Sequence, residues 1–486
     1  MTPRLPRLPC LGGHELRHNL NVRLLAITCC LLAASAAPAD PWGRIRSDHF
    51  ELFTTAGERS GRDLIQYLEQ VRGFFLQAFD LAGPRFQPVR IVWFRTDKEY
   101  RPYRPTEIAD AFFQPGIDHD YIVMKTSSAD LNATAVHEYI HLLVRETRLE
   151  VPHWLDEGLA ELYSNLEPMG SEIVVGKPIL GRVQTLARER WIDLRTLVGP
   201  GPISSEKNRA AMFYAESWAL IHMLSLDRRY SSRLRAMFDA LQNGDTPAAF
   251  QKAYGGPIEN VEQDLRAYTR GDAFNTAVFD LRLPDATGAP RVEPDAVLPA
   301  RLALAELLSN DRKTLPQAAA AYKALAREYE NRWEVEDGWG EFCARERKND
   351  EAARHFARAA GLGCDNARMY LAYGRVLNMN QRFADAIGIL KMGLRLDPTL
   401  DDLHFELAVT LVHTGSDRDA VAEFHRIKKL DREYAYRYFY NLAVAHSRLG
   451  DTGQARRLIE KAREETKNPE EIAALGQLME SLNRSR

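Results

Sequence analysis

From residue 299 onward the chain repeats itself with a period near 34, and that period leaves few folds open to it. Ala318, Ala352, Ala386, Ala420 and Ala455 mark the period, spaced 34, 34, 34 and 35 residues apart. One helical turn beyond each alanine stands a bulky side chain: Tyr322, Phe356, Leu390, Phe424 and Ile459. A unit of this length holds a helix, a turn and a second helix. It cannot bury its apolar face alone, so successive units must stack into a solenoid.

The unit from Ala367 to Pro398 carries Tyr370, Tyr373-Gly374, Leu377, Ala386, Leu390 and the closing Pro398. At these positions it resembles the tetratricopeptide repeat. Gly415 and Gly450 are expected in the inter-helix turns of later copies, and Pro469 to Asn483 as a capping helix. The resemblance implies an all-α solenoid whose concave face takes a protein or peptide partner.

A different constellation lies upstream. His137-Glu138-Tyr139-Ile140-His141 sits in a stretch where Val136, Ile140, Leu143 and Val144 recur at helical spacing, with no Gly or Pro. Residues four apart on a helix face the same way, so the two imidazoles converge on one point, and Glu138 is turned about 100° from His137. The bare motif is weak, because His14-Glu15-Leu16-Arg17-His18 spells it too, in an arginine-bearing leader that reads as export signal. What distinguishes the second copy is Trp154-Leu155-Asp156-Glu157-Gly158-Leu159-Ala160-Glu161. Glu157 supplies a third ligand from a second apolar helix, and Glu161, one turn further, supplies a carboxylate that orients a ligand imidazole. His153, beside Pro152, is a weaker candidate for the third ligand, and a third histidine of metzincin type is excluded by Val144 and Thr147.

The two segments together resemble the gluzincin (peptidase MA-like) zinc metallopeptidases, in which His-Glu-x-x-His is completed by a glutamate from a helix reading roughly Trp-Leu-x-Glu-Gly. That resemblance implies Zn2+ on His137, His141 and Glu157, Glu138 as general base, Glu161 behind a ligand, and hydrolysis of peptide bonds. It also implies a Tyr or His that steadies the oxyanion, and Tyr214, in the apolar helix Met212 to Leu224, is the candidate; Glu216 and His222 of that helix read as structural. A small mixed sheet ahead of the metal helix is implied as well, with an edge strand that binds extended substrate, and Tyr121 to Lys125 is expected to be that edge or a plain structural strand. The Gly-x-Met-Glu-Asn stretch of zinc aminopeptidases has no match here, which favours internal cleavage.

The fold class expected is therefore an α+β zincin-like catalytic domain followed by an all-α tetratricopeptide solenoid. His49 to Thr55, Val89 to Phe94 and Asp120 to Lys125 read as strands, and Arg62 to Leu81 as a helix. Residues 1–39 are expected to be a signal peptide, 40–282 the catalytic domain, 283–298 a linker rich in Pro, Gly and charge, and 299–486 the repeats. Four arginines precede the short apolar run Leu24 to Ala37, which implies export, with bacterial periplasm as the expected destination and secretion or an uncleaved membrane anchor as alternatives. The net charge of −3 falls to near −6 without that leader, so nothing points to nucleic acid. Cys343 and Cys364 are expected as two buried thiols rather than a disulfide. A reading from a different class is a catalytically silent scaffold or envelope assembly factor acting through the repeats.

Overall fold

The computed structural model describes residues 42–484 apart from 80–87, 108, 117–118, 127–130, 147–150, 201–206, 242–244, 272–273, 281–288 and 431. The expected signal segment, with the first His-Glu-x-x-His, lies outside the described residues.

Strands β1 (Gly43–Arg46), β2 (Phe50–Thr54), β3 (Val89–Phe94), β4 (Ala111–Gln114) and β5 (Tyr121–Lys125) belong to one sheet. A smaller antiparallel sheet holds β6 (Glu167–Met169), β7 (Glu172–Val175) and β8 (Ala277–Asp280), and β9 (Arg291–Glu293) returns to the first sheet. That sheet runs in the order β4-β5-β3-β2-β1-β9, with β2, β3 and β5 parallel and the outer strands antiparallel. The three parallel strands are apolar on both faces, as strands covered from both sides must be. Leu52, Ile91, Trp93, Ile122 and Met124 pack against the helices α1 (Glu58–Phe79) and α2 (Leu131–Glu146). The strand expected at the sheet's edge, Tyr121 to Lys125, is instead interior. Its residues Tyr121 to Met124 are fully buried, and the outermost strand is the half-buried β4.

Helix α3 (His153–Ser164) packs on α2, and α5 (Lys207–Leu226) packs on α3 and on α4 (Leu180–Arg188). Further helices, among them Thr246–Tyr254 and Ile258–Thr269, close this unit.

The opposite face of the sheet is covered by the repeat region. Phe53, Val92, Phe94, Tyr121 and Val123 form one apolar cluster with Ala300, Ala303 and Leu307 of α6 (Val297–Ser309). Beside it runs a chain of charges. Glu51 accepts from Arg44 (2.9 Å at Nε) and Arg90 (3.1 Å), and Arg90 Nη1 donates to Glu306 of α6 at 2.5 Å. The stretch expected as linker, 283–298, therefore differs from the expectation where it is described: β9 pairs with β1, and residue 297 opens a helix that belongs to both units. Pro and Gly near residues 284–290 marked a break, but the three-residue, mostly charged strand after them carried too weak a signal.

Beyond α6 the described chain is helical hairpins: Leu315–Glu328 pairs with α6, followed by Trp333–Arg345 with Asn349–Gly361, Ala367–Met379 with Phe383–Leu396, Asp401–His413 with Asp417–Phe424 and Arg432–Arg448 with Thr452–Glu464, capped by Pro469–Arg484. This is an all-α solenoid of stacked helical hairpins with the 34-residue period. All five period-marking alanines are fully buried, and so are the bulky residues one turn beyond them. At Gly374 an added Cβ would stand 2.4 Å from Leu390, so the first helix of that hairpin must present no side chain there. The left-handed turn between helices recurs at Arg347, Gln381, Gly415 and Gly450, with φ of 58°, 58°, 78° and 79°. Cys343 and Cys364 are buried and unpaired.

Glu306 is largely buried, its side chain 13% exposed. Burial alone would raise its pKa, but Arg90, His119 and Arg345 hold it down at about 2. Its ion pairs therefore stabilise the fold fully above the unfolded value near 4.5 and are lost as pH falls toward 2. Glu306→Ala, which leaves Arg90 buried without that partner, should cost about 3 kcal/mol in urea unfolding at pH 7. The difference from the parent should shrink as pH drops below about 4.5.

Candidate metal centre

The amphipathic helix α2 buries Ala135, Val136, Tyr139, Ile140, Leu142 and Leu143, and this turns His137, Glu138 and His141 toward α3. On α3, Trp154, Leu155, Ala160 and Leu162 go into the same core while Glu157 and Glu161 face α2. The close approach of α3 to α5 requires Gly158: an added Cβ would lie 2.6 Å from the Ser217 carbonyl oxygen and 2.5 Å from Ile221. The glycine of the Trp-Leu-Asp-Glu-Gly segment thus sets the position of the glutamate before it.

Three side-chain atoms converge. His137 Nε2 and His141 Nε2 are 3.2 Å apart, and Glu157 Oε2 lies 3.4 Å from the first and 3.7 Å from the second. The far side of each ring faces a carboxylate: His141 Nδ1 meets Asp156 Oδ2 at 3.0 Å, and His137 Nδ1 stands 3.7 Å from Glu161 Oε1. Carboxylates there favour the N–H on Nδ1, so that in the neutral ring Nε2 is the acceptor and faces Glu157. Glu157 Oε2 is buried and has no hydrogen-bond partner. Three lone pairs on one point repel unless a cation or protons lie between them. A tetrahedral ion with bonds of about 2.0–2.2 Å holds its donor atoms about 3.3–3.6 Å apart. The three spacings found, 3.2, 3.4 and 3.7 Å, bracket that range.

The charges around the point tell the same story. For His141 burial works against the protonated form, but the hydrogen bond and charge of Asp156, with Glu157 and Glu138, lift its pKa to about 9. His137 is raised in the same way, burial being outweighed by Glu157, Glu161 and Glu138. Burial pushes Glu157 up, yet the two imidazoles hold it below its ordinary value.

Glu138 stands beside this point. Burial raises its pKa, the two histidines oppose that, and the backbone N–H of Phe113 on β4 donates to its carboxylate. The helix α2 thereby brings Glu138 next to the sheet's outer strand. His137, Glu138, Glu161, Ile179, Arg182 and Tyr214 line one open cleft of about 440 Å³. Tyr214 shares that cleft, its hydroxyl pushed up to about 12 by burial and by Glu157 and Glu161. Arg182 donates to both oxygens of Glu161 (2.8 and 2.5 Å) and lies 5.3 Å over the Tyr214 ring, so it ties the two together. Asp156 and Arg182 were not singled out from the sequence. Asp156 directly precedes Glu157 and could have been found from helical geometry; Arg182 had no signal. His153 opens α3 rather than a loop, and its Nδ1 is 3.8 Å from the other oxygen of Glu157, outside the group of three. Glu216 accepts from the Ile192 N–H at 2.7 Å and His222 bonds Tyr268 and Gly176, away from the cleft.

Asp156→Ala should leave α3 folded and weaken zinc binding by about 10- to 100-fold, because His141 loses the group that fixes its ring. Competition with a chromogenic chelator measures this directly.

No family model matches the chain, and no curated protein matches it. Solved structures do. YrrB, described as a TPR protein with an unusual peptide-binding site, is 21% identical, covers 36% of this chain and 89% of its own, and has a TM-score of 0.33. MamA is 19% identical over 32% of this chain and 90% of its own, with a TM-score of 0.29. PilF of Pseudomonas aeruginosa is 16% identical over 39% and 89%, with a TM-score of 0.33.

Proposed function

We propose that the chain is an exported zinc-dependent peptidase of gluzincin type, with a zincin-like catalytic unit and repeats that recruit a protein partner or substrate. The observation that carries the reading is the convergence of His137, His141 and Glu157 on one point with Glu138 beside it. Those three residues would hold the metal. Zinc bound there supplies Lewis acidity, which polarises a peptide carbonyl and brings the pKa of water toward neutrality.

The remaining work falls to side chains. Glu138 takes the proton from the attacking water and passes it to the leaving amine, a transfer favoured by a buried carboxylate of raised pKa. Tyr214 keeps its hydroxyl protonated at neutral pH and can donate a hydrogen bond to the oxyanion. Asp156 and Glu161 hold the imidazoles in orientation, and Arg182 holds Glu161. An extended substrate would lie along β4, the outer strand next to Glu138. Export is supported by the arginines and apolar run of the leader. No helix among the described residues is long and apolar enough to cross a membrane.

A second reading, a catalytically silent scaffold or assembly factor, is favoured by the tetratricopeptide array, a surface suited to holding a partner whether or not the cleft is active. The chain from residue 40 onward and its Glu138→Gln variant, brought to equal zinc content, separate the two on a diverse peptide library. The parent should cleave internally, and the variant should be slower by at least about 100-fold. Zinc bound one to one with no cleavage by either protein would favour the scaffold.

A further inference from the structure

His137 and His141 share one face of α2 with Arg145, one turn further along, since residues four apart on a helix stand one above the other. The two histidines converge on the metal centre. Arg145 reaches the sheet instead: its Nη2 donates to Asp120 Oδ2, and its guanidinium lies 5.3 Å over the ring of Phe113. Asp120 directly precedes β5 and Phe113 belongs to β4, so one side chain of the metal helix grips both strands of this hairpin. The other oxygen of Asp120 accepts from the Gly116 N–H at 3.1 Å, in the connection between the two strands.

Strand β4 needs such a grip. It is four residues long, half-buried throughout, and among the described strands it pairs with β5 alone. A short outer strand with one neighbour opens easily. Yet β4 carries the Phe113 N–H that donates to Glu138, and its Ala111 lines the cleft with His137 and Glu138. A strand that keeps one edge free for a substrate backbone must be steadied by its side chains and its single neighbour. Arg145 supplies that hold. The side chain of Asp120 is 10% exposed, so its bond to the guanidinium is partly shielded from water, and the flat face of the guanidinium covers Phe113. Glu146 Oε1 stands 3.6 Å from the same Nη2. A cation in the last turn would complement the dipole of α2 without touching either strand, so the helix end alone does not account for these contacts.

The geometry points to Arg145, paired with Asp120, as a positioning residue that fixes β4 against the metal helix, so that the strand can hold an extended substrate beside Glu138. The inference rests on the peptidase reading and adds a residue to it. Arg145 is not one of the residues lining the cleft, so it acts through β4 and not on the substrate itself.

The test compares zinc-loaded full-length protein with its Arg145→Ala, Arg145→Lys and Asp120→Asn variants, by hydrogen exchange read on peptides spanning β4 and α2. Arg145→Ala should speed exchange in β4 by at least about tenfold, while α2 and the zinc content stay as in the parent. Arg145→Lys keeps the charge but not the flat face, and should fall between the two. On a peptide that the parent cleaves, Arg145→Ala should raise KM by at least about tenfold and lower kcat by less, because binding along the strand is what weakens. Asp120→Asn should move both readouts in the same direction, which keeps the test from depending on the folding of one variant. Unchanged exchange in β4, loosening of α2 along with it, or a loosened β4 with unchanged KM would overturn the role of Arg145 and leave the peptidase reading intact. No cleavage of any peptide by the parent would overturn that reading and the inference with it.

Discussion

Two imidazole nitrogens and a carboxylate oxygen within 4 Å of one another inside a protein need protons or a cation among them. His137 Nε2, His141 Nε2 and Glu157 Oε2 are held in that arrangement by two helices whose apolar faces are fully committed elsewhere. Neither helix can rotate to relieve the repulsion without exposing its core residues. Gly158 lets α3 approach α5, Asp156 meets His141 from behind at 3.0 Å, Glu161 stands 3.7 Å behind His137, and Arg182 pairs with Glu161. The rest of the upstream unit serves to hold this crossing, with the sheet as its base and β4 running past Glu138.

The second constraint is the double-sided sheet. Strands apolar on both faces need two covers, and α1 and α2 provide only one. The other is α6, the opening helix of the repeat array, joined to β3 by the Arg90 to Glu306 bond. The repeats are therefore built onto the sheet rather than strung behind it on a flexible tether. A cleft of about 420 Å³ at this junction is lined by Arg44, Arg90, Glu51, Glu306 and Arg345, charges that pair largely with one another.

How much of this was legible in the sequence depended on the period of each signal. The 34-residue repeat and the four-residue histidine spacing are strict periodicities, and the buried alanines and converging imidazoles lie where those periods put them. Strands β2, β3 and β5 were readable as β-branched and aromatic runs, whereas β1, β4 and β9 are three- or four-residue pieces with no alternation long enough to register. Missing β4 moved the expected edge to β5, because the outermost strand of a sheet is a fact of topology and not of composition. Arg182 was invisible for a related reason: it meets Glu161 only after 21 residues of chain fold back over the cleft. The shared role of α6 was hidden too, since a helix that packs on a sheet and one that packs on its repeat neighbour show the same apolar stripe.

X-ray absorption at the zinc edge of the stoichiometrically loaded protein tests the central claim most directly. The account predicts four-coordinate zinc with two imidazoles, one carboxylate and one further light-atom ligand at about 2.0–2.2 Å, with one imidazole contribution lost in His141→Ala. Failure to bind one equivalent of zinc, or a shell containing sulfur or unaffected by His141→Ala, would contradict it.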